Sequence, residues 1–286
     1  MKSSRDSATP EILLRTFARA IKDINEYIPG PDMGTDERCM AWLKSEIGRA
    51  VALPQEIGGI PLDEIGAAGF GLNVCTEVAS NYCNVNLEGA RIVIQGFSSV
   101  GQQAARFLAA KGTVLIAAAD SQGTIFNPKG INIEQLSRLK SVGKTVIDYA
   151  DGQKLNKDAV IGITCDILIP AARPDVIDSD NIDQLQTKLV LQGANIPFTE
   201  KAERICDQRN ILVVPDFIAN GGGRNLWGSK KNAGGSKKNA FQALEKKICH
   251  NSTLVLETDI KTGIQPRKVA VEIAKRRACT VRKWWE

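Results

Sequence analysis

The chain has 286 residues, of which 43% are hydrophobic and 24% are charged, and its formal net charge is +5. This composition is typical of a globular protein and excludes a chain too polar to fold. No apolar stretch approaches the roughly 20 residues of a membrane span, and the first seven residues lack the apolar core of a secretory leader. We therefore expect a cytoplasmic protein with no membrane partner and one or two domains.

The cysteine and histidine content of the chain bears on disulfides, metal sites and histidine-based catalysis. The seven cysteines include no C-x-x-C pair, and His250 is the single histidine. We expect reduced thiols, no metal site and no histidine-based catalytic triad. The positive charge alone does not indicate a nucleic-acid partner. Because the basic C-terminal segment carries no interleaved aromatic residues before Trp284 and Trp285, we expect none.

The N-terminal segment predicts two helices. Apolar residues recur at helical spacing from Pro10 to about Tyr27, with Thr9 as the cap. A Pro/Gly-rich break follows, and Asp36 then caps a second helix. Residues 58–71 form an apolar, glycine-rich stretch, which predicts a loop leading into a helix over about 72–83.

The central segment predicts a strand, a glycine turn and a helix. The β-branched run at 92–94 is typical of a strand buried on both faces. The pattern Gly96-x-Ser98-x-x-Gly101 follows at once, and apolar residues then recur at helical spacing up to Gly112. In this context a G-x-G-x-x-G turn binds a dinucleotide pyrophosphate at the positive end of the helix. Serine replaces the middle glycine, so an ordinary tight turn remains the alternative.

The next strand, 114–119, ends at Asp120, which lies 19 residues beyond Gly101. An acidic residue about 20 positions after the turn is placed to bind the adenine ribose hydroxyls. No lysine or arginine occurs between Asp120 and Lys129 to neutralise a 2′-phosphate. The sequence therefore predicts NAD rather than NADP as the cofactor.

Strands and helices go on alternating along the chain. Residues 166–172, 189–195 and 211–216 predict strands, while 131–139 and 200–209 predict helices. Such alternation predicts an α/β fold with a doubly wound, Rossmann-like parallel sheet, whose ligands lie at the carboxyl ends of the strands. We expect the cofactor to contact Gly96, Phe97, Ser98, Ser99, Val100, Gly101, Asp120, Ser121, Ala171, Ala172, Asn195 and Asn220.

The C-terminal part contains a copied unit. Residues 228–233, Gly-Ser-Lys-Lys-Asn-Ala, recur as 235–240. This predicts a flexible basic loop over 224–240, with phosphate contact by its lysines as the alternative. Two further helices are predicted over 241–261 and 266–285.

Several segments, in order and spacing, resemble the glutamate/leucine/phenylalanine/valine dehydrogenase family over residues 10–223. The matching segments are Pro31–Thr35, Met40–Trp42, Gly96–Gly101, Asp120–Gly123, Asn127–Gly130, Asp166–Ala172, Gly193–Asn195 and Val214–Asn220. The resemblance implies oxidative deamination of glutamate or a related amino acid to the 2-oxo acid with NAD. It also implies a homo-oligomer.

The resemblance further implies a domain plan. Residues 1–50 would be the remnant of an incomplete substrate domain and its hinge, residues 51–223 the NAD-binding domain, and residues 241–286 the C-terminal helices. Asp32 corresponds to the family's proton-transferring aspartate. The family's catalytic lysine, in a Gly-Gly-x-Lys-Gly-Gly segment, has no counterpart in the sequence. The alternative is thus a non-catalytic NAD-binding or subunit-interaction protein derived from this family.

Overall fold

The computed structural model describes residues 9–32, 34–59, 66–222 and 237–282. The chain divides into two compact units, Met1–Ile65 and Gly66–Glu286. The copied basic unit falls mostly outside the described residues. No helix within the described ranges is long and apolar enough to cross a membrane.

The N-terminal unit contains two helices, α1 (Pro10–Ala20) and α2 (Glu37–Ile47), and a 3-10 turn, Gln55–Ile57. Both predicted caps are present: Thr9 Oγ1 accepts the Ile12 N–H, and the Asp36 carboxylate accepts the Cys39 N–H at 2.9 Å. The two helices enclose a small core, whose buried residues are Ala18, Cys39, Met40, Leu43 and Leu53.

Helix α1 is shorter than its periodicity predicts, because it ends at Ala20 rather than near Tyr27. The Arg49 side chain explains the early end. Its guanidinium donates to the carbonyl oxygens of Ile21, Ile24 and Tyr27 at 2.7, 2.8 and 3.0 Å. These bonds satisfy carbonyl groups that a longer helix would have paired internally.

The second unit is built on one seven-stranded sheet with the order β4-β3-β2-β1-β5-β6-β7. Its strands are β1 (Arg91–Gln95), β2 (Val114–Ala119), β3 (Thr124–Phe126), β4 (Gln153–Leu155), β5 (Ile167–Pro170), β6 (Leu189–Leu191) and β7 (Leu212–Val214). The five strands other than β3 and β4 are parallel, which confirms the predicted fold class. Strands β3 and β4 form an antiparallel edge that the sequence analysis missed.

Helices cover both faces of the sheet. They are α3 (Ala67–Ser80), α4 (Ser99–Ala109), α5 (Ile133–Ser141), α6 (Glu200–Gln208), α7 (Asp216–Ala219), α8 (Lys237–Thr262) and α9 (Pro266–Arg282). Helix α3 begins within the predicted glycine-rich loop, five residues earlier than expected. Its Phe70 ring packs edge-on against Phe107 of α4 and Phe241 of α8, with ring centroids 5.4 and 4.6 Å apart.

The cysteines are free thiols, as expected. Burial raises the pKa of Cys75, Cys165 and Cys206 to about 12. Because the thiolate is the reactive form, these three residues behave as small apolar side chains of the core.

Candidate nucleotide-binding site

The candidate site begins where the topology of the sheet reverses. Strand β1 lies between β2 and β5, so the chain leaves β1 toward one edge and later returns to its other side. In open α/β sheets, ligands bind outside the carboxyl ends of the strands at this point. Gly96 follows β1 there, and helix α4 starts three residues later at Ser99.

Gly96 is required by its surroundings. Its φ is +99°, and a Cβ atom at this position would lie 2.7 Å from the Ala171 carbonyl carbon and from the Ala172 nitrogen. The turn after β1 therefore touches the end of β5 backbone to backbone. A Cβ atom at Gly101 would in turn collide with the Gly96 carbonyl oxygen, so both glycines allow α4 to start directly against the sheet.

The amide groups of this turn divide into two sets. The N–H groups of Gly96 and Phe97 both donate to the Ala119 carbonyl, at 3.0 and 2.9 Å, and the Phe97 side chain is buried. They are therefore engaged within the protein. The first helical bond of α4 runs from the Gln102 N–H to the Ser98 carbonyl, so the amides of residues 99–101 lack a partner within the helix. These three donors are available to an anion.

Ser98 occupies the N-cap position of α4 without capping it. Its side chain accepts no hydrogen bond from the helix, and both Ser98 and Ser99 are exposed. Ser98 directly precedes residues 99–101, so its exposed side chain belongs to the same turn as the three amide donors. Val100, the next residue, is half-buried.

Asp120 lies at the carboxyl end of β2, next to the exposed Ser121. Its Oδ1 accepts the Gln122 N–H at 2.9 Å, and its Oδ2 accepts the Lys140 ammonium at 2.7 Å and the Val146 N–H at 2.9 Å. Burial raises the pKa of Asp120, but these bonds outweigh it and hold the pKa below its usual value. The carboxylate is thus ionised and accepts three hydrogen bonds. Because its two oxygens offer about four acceptor positions in all, about one position remains for a further donor.

Lys140 is the residue that sequence reasoning missed here. The absence of a cation shortly after Asp120 holds for the sequence, but the inference that no cation lies beside it is wrong. Helix α5 returns to the end of β2 and brings the Lys140 Nζ to 2.7 Å from Asp120, with the two side chains 22% and 11% exposed. The spacing of 20 residues gives no periodic signal of this contact.

The remaining predicted residues lie beyond the ends of β5, β6 and β7. Ala171 is buried and Ala172 half-buried beside Gly96. Asn195 is exposed four residues beyond β6, and Asn220 is half-buried directly after α7. The ends of β5 and β6 are adjacent, since a Cβ atom at Gly193 would lie 3.1 Å from the Ala171 Cβ, and β7 pairs with β6. A Cβ atom at Gly222 would lie 3.0 Å from the Ala68 Cα, so the segment after α7 touches the start of α3.

Asp32 belongs to the N-terminal unit. It is exposed and begins a turn in which the Thr35 hydroxyl accepts the Asp32 N–H at 2.8 Å and the Thr35 N–H donates to the Asp32 carbonyl at 2.9 Å. Its role in proton transfer remains a prediction.

A cavity of about 440 Å³ opens elsewhere in the second unit. Lys188, Asn210 and Ile211, which precede β6 and β7, line it together with Leu212 and Val213 of β7, and Glu203 and Arg267 also contribute to its wall. The cavity includes none of the predicted cofactor contacts. The carboxyl edge, which carries the glycine turn, therefore remains the candidate site.

Comparison with known proteins shows which proteins the chain is similar to. The family model for glutamate/leucine/phenylalanine/valine dehydrogenase matches residues 58–277. The chain is 34% identical to the glutamate dehydrogenase of Aeropyrum pernix over 263 residues, which cover 86% of this chain and 63% of that protein. It is also 35% identical over 205 residues to an NADP-specific glutamate dehydrogenase of Saccharolobus shibatae, covering 68% of this chain and 48% of that protein.

An NAD-specific glutamate dehydrogenase A of Halobacterium salinarum is 33% identical over 225 residues, which are 74% of this chain and 51% of that protein. The crystal structure of the hetero-hexameric glutamate dehydrogenase of Thermus thermophilus, in a leucine-bound form, superposes with a TM-score of 0.83 at 26% identity. That superposition covers 96% of this chain and 69% of the other. The chain spans about half to two thirds of the length of these relatives. It belongs to the glutamate/leucine/phenylalanine/valine dehydrogenase family.

Proposed function

We propose that the second unit binds NAD(H) at the carboxyl edge of its sheet. The observation that carries this proposal is the turn after β1, where two glycines bring the start of α4 against the strand and the amides of residues 99–101 have no partner within the helix. The pyrophosphate would bind these amides, and Asp120 would bind a ribose hydroxyl through its remaining acceptor position. The nicotinamide end would extend toward Asn195 and Asn220.

A preference for NAD over NADP follows from the charge around Asp120. Lys140 is already neutralised by the Asp120 carboxylate. A 2′-phosphate would bring a second anion to this pair, whereas a ribose hydroxyl adds one hydrogen bond. The relatives include both NAD-specific and NADP-specific enzymes, so they have a nicotinamide cofactor in common. The preference for NAD in this chain is our proposal and is based on the charges around Asp120.

The reaction we propose is the reversible oxidative deamination of glutamate or a related amino acid. The family membership supports it, and Asp32 would transfer the protons. The nicotinamide supplies the hydride acceptor when bound. The chain would act as part of an oligomer, as the related hetero-hexameric Thermus thermophilus enzyme does, and we favour a homo-oligomer for this chain. The free thiols of its cysteines favour a reducing cytoplasmic setting.

Calorimetric titration tests the binding proposal. We expect wild type to bind NAD more tightly than NADP, and Asp120→Ala to weaken NAD binding by about 1.5–3 kcal/mol, the value of one hydrogen bond to a charged group. Since the substitution also frees the Lys140 ammonium, the affinity for NADP should fall less than the affinity for NAD. Equal or tighter binding of NADP by wild type would reject the cofactor preference, and no binding of either would reject the site.

A non-catalytic NAD-binding protein is the second candidate. Lys22, Lys44 and Lys129 are the candidates to replace the family's catalytic lysine, by proximity in sequence alone. All three are exposed, whereas a lysine that activates a substrate would be shielded from water, and this supports the non-catalytic alternative. Formation of NADH with glutamate, leucine, valine and phenylalanine separates the two functions. Turnover that Asp32→Asn abolishes would favour the enzyme, and NAD binding without turnover would favour the binding protein.

A further inference from the structure

A buried polar cluster ties helix α9 to the ends of β6 and β7. It consists of Gln192, Glu203, Asp216 and Arg267, whose side chains come from the end of β6, from α6, from the start of α7 and from the first turn of α9. Gln192 is fully buried, and the side chains of Glu203, Asp216 and Arg267 are 11%, 10% and 26% exposed.

Arg267 is the centre of this cluster. Its Nε donates to both Glu203 oxygens at 2.8 Å, and its second terminal nitrogen donates to Gln192 at 2.6 Å and to Asp216 at 2.8 Å. Burial lowers the pKa of Arg267, but the two carboxylates outweigh it and hold the pKa above its usual value. The guanidinium therefore stays charged and holds three elements in one geometry, which a planar fork of donors does better than an ammonium.

Gln192 completes the cluster as a neutral amide. Its Nε2 donates to Glu203 at 2.6 Å, and its Oε1 accepts the Asp216 N–H at 3.1 Å as well as the Arg267 donor. Both ends of the amide are thus used. The charges of the cluster are two carboxylates, Glu203 and Asp216, and one cation, Arg267.

The cluster reaches a strained backbone position beside the candidate site. Asp216 uses its second oxygen to accept the Ile196 N–H at 3.2 Å. Ile196 has φ +48°, in the left-handed region that a β-branched residue rarely adopts. The Asp175 N–H donates to the Ile196 carbonyl at 3.0 Å, so the backbone of Ile196 is held on both sides of its Cα. Ile196 directly follows Asn195, so the strained turn fixes where Asn195 stands.

We propose that Arg267 is a positioning residue for the cofactor: through Asp216 it holds the strained Ile196 turn, and thereby Asn195, in place at the nicotinamide end of the site. This inference rests on the proposed function. Arg267 would contact no part of the cofactor. Its effect would be confined to the ends of β6 and β7, because the groups proposed for the adenosine end, Asp120 and residues 99–101, lie on elements that the cluster does not touch.

The test compares NADH with AMP, which carries only the adenosine end. In Arg267→Met we expect the NADH dissociation constant to rise roughly tenfold, while the AMP constant changes by less than about twofold. Arg204→Met is the matched control, since Arg204 makes an exposed ion pair with Glu200 on α6 and should leave both constants unchanged. Arg267→Lys, which keeps the charge but loses the fork, should give a smaller rise for NADH.

A rescue variant separates positioning from general destabilisation. Glycine adopts the left-handed conformation without strain, so Ile196→Gly should recover part of the lost NADH affinity in the Arg267→Met background. Equal weakening of NADH and AMP, or no weakening of NADH, would overturn the proposal. If Arg267→Met does not fold, the same comparison of the NADH and AMP dissociation constants in Arg267→Lys tests the proposal. Absence of NADH and AMP binding in wild type would instead reject the proposed function and the inference together.

Discussion

Replacing Lys140 by methionine should destabilise the second unit in a pH-dependent manner. Methionine keeps the length and apolar stem of lysine but removes the cation that lies 2.7 Å from Asp120. The Asp120 side chain is only 11% exposed, so its charge would remain in a largely buried site with two backbone donors. An exposed ion pair contributes up to about 1 kcal/mol, and breaking a fully buried one costs about 3–5 kcal/mol. For this partly buried pair we expect a loss of about 1.5–3 kcal/mol.

The loss of stability in Lys140→Met should depend on pH through the ionisation of Asp120. The folded pKa of Asp120 lies below its usual value, and the unfolded pKa is about 3.9. Asp120 therefore stabilises wild type above about pH 4, and this contribution is lost as the pH falls through the folded pKa. In Lys140→Met the burial remains without the cation, so the pKa of Asp120 rises. The stability difference between wild type and variant should thus be largest near neutral pH and shrink below about pH 4.

Urea unfolding followed by circular dichroism, at about pH 7 and about pH 3.5, measures this difference. Lys129→Met is the matched control, since Lys129 is exposed in a loop and should change stability by less than about 0.5 kcal/mol. A loss in Lys140→Met no greater than that of the control, or one independent of pH, would refute the reasoning.

Three further outcomes are expected. Gly96→Ala should abolish NADH binding in a fluorescence titration and lower the melting temperature, because a Cβ atom there meets the Ala171 backbone at 2.7 Å; retained binding would contradict the tight turn. Ser98→Gly should tighten NAD binding in calorimetry, because a glycine at the middle position of the fingerprint lets the backbone approach the pyrophosphate closely; unchanged or weaker binding would mean that the serine is neutral or contributes a favourable contact. In assays of NADH formation with the four amino acids, the 286-residue chain by itself should turn over well below about 1 s⁻¹; faster turnover that Asp32→Asn abolishes would reveal a complete active site.

The parts of the fold that follow from local sequence were predicted well. The run Ile92-Val93-Ile94, fully buried in β1, and the second strand up to Ala119 were found because their apolar pattern reflects burial directly. The caps of α1 and α2 were also correct, since each depends on residues three positions apart. Strands β3 and β4 were missed because each has three residues, too few for an alternating pattern to appear.

The candidate site was predicted only in its local part. The glycine turn and Asp120 follow one another within 25 residues and form a recognisable pattern. Lys140 and Arg267 were not found, because each contact depends on how a helix returns to the sheet. Arg267 lies 64 residues from Glu203 and 51 from Asp216, and no periodicity links such positions. The strain at Ile196 likewise appears only in the backbone conformation.

Hydrogen–deuterium exchange with and without NADH tests most directly that the carboxyl edge of the sheet binds the cofactor. We expect NADH to slow exchange in peptides that cover residues 96–102 and 119–123, and to leave exchange unchanged around Lys188 and Asn210, which line the cavity beside the opposite strand ends. Protection confined to that cavity, or no protection of residues 96–102 at saturating NADH, would contradict the account.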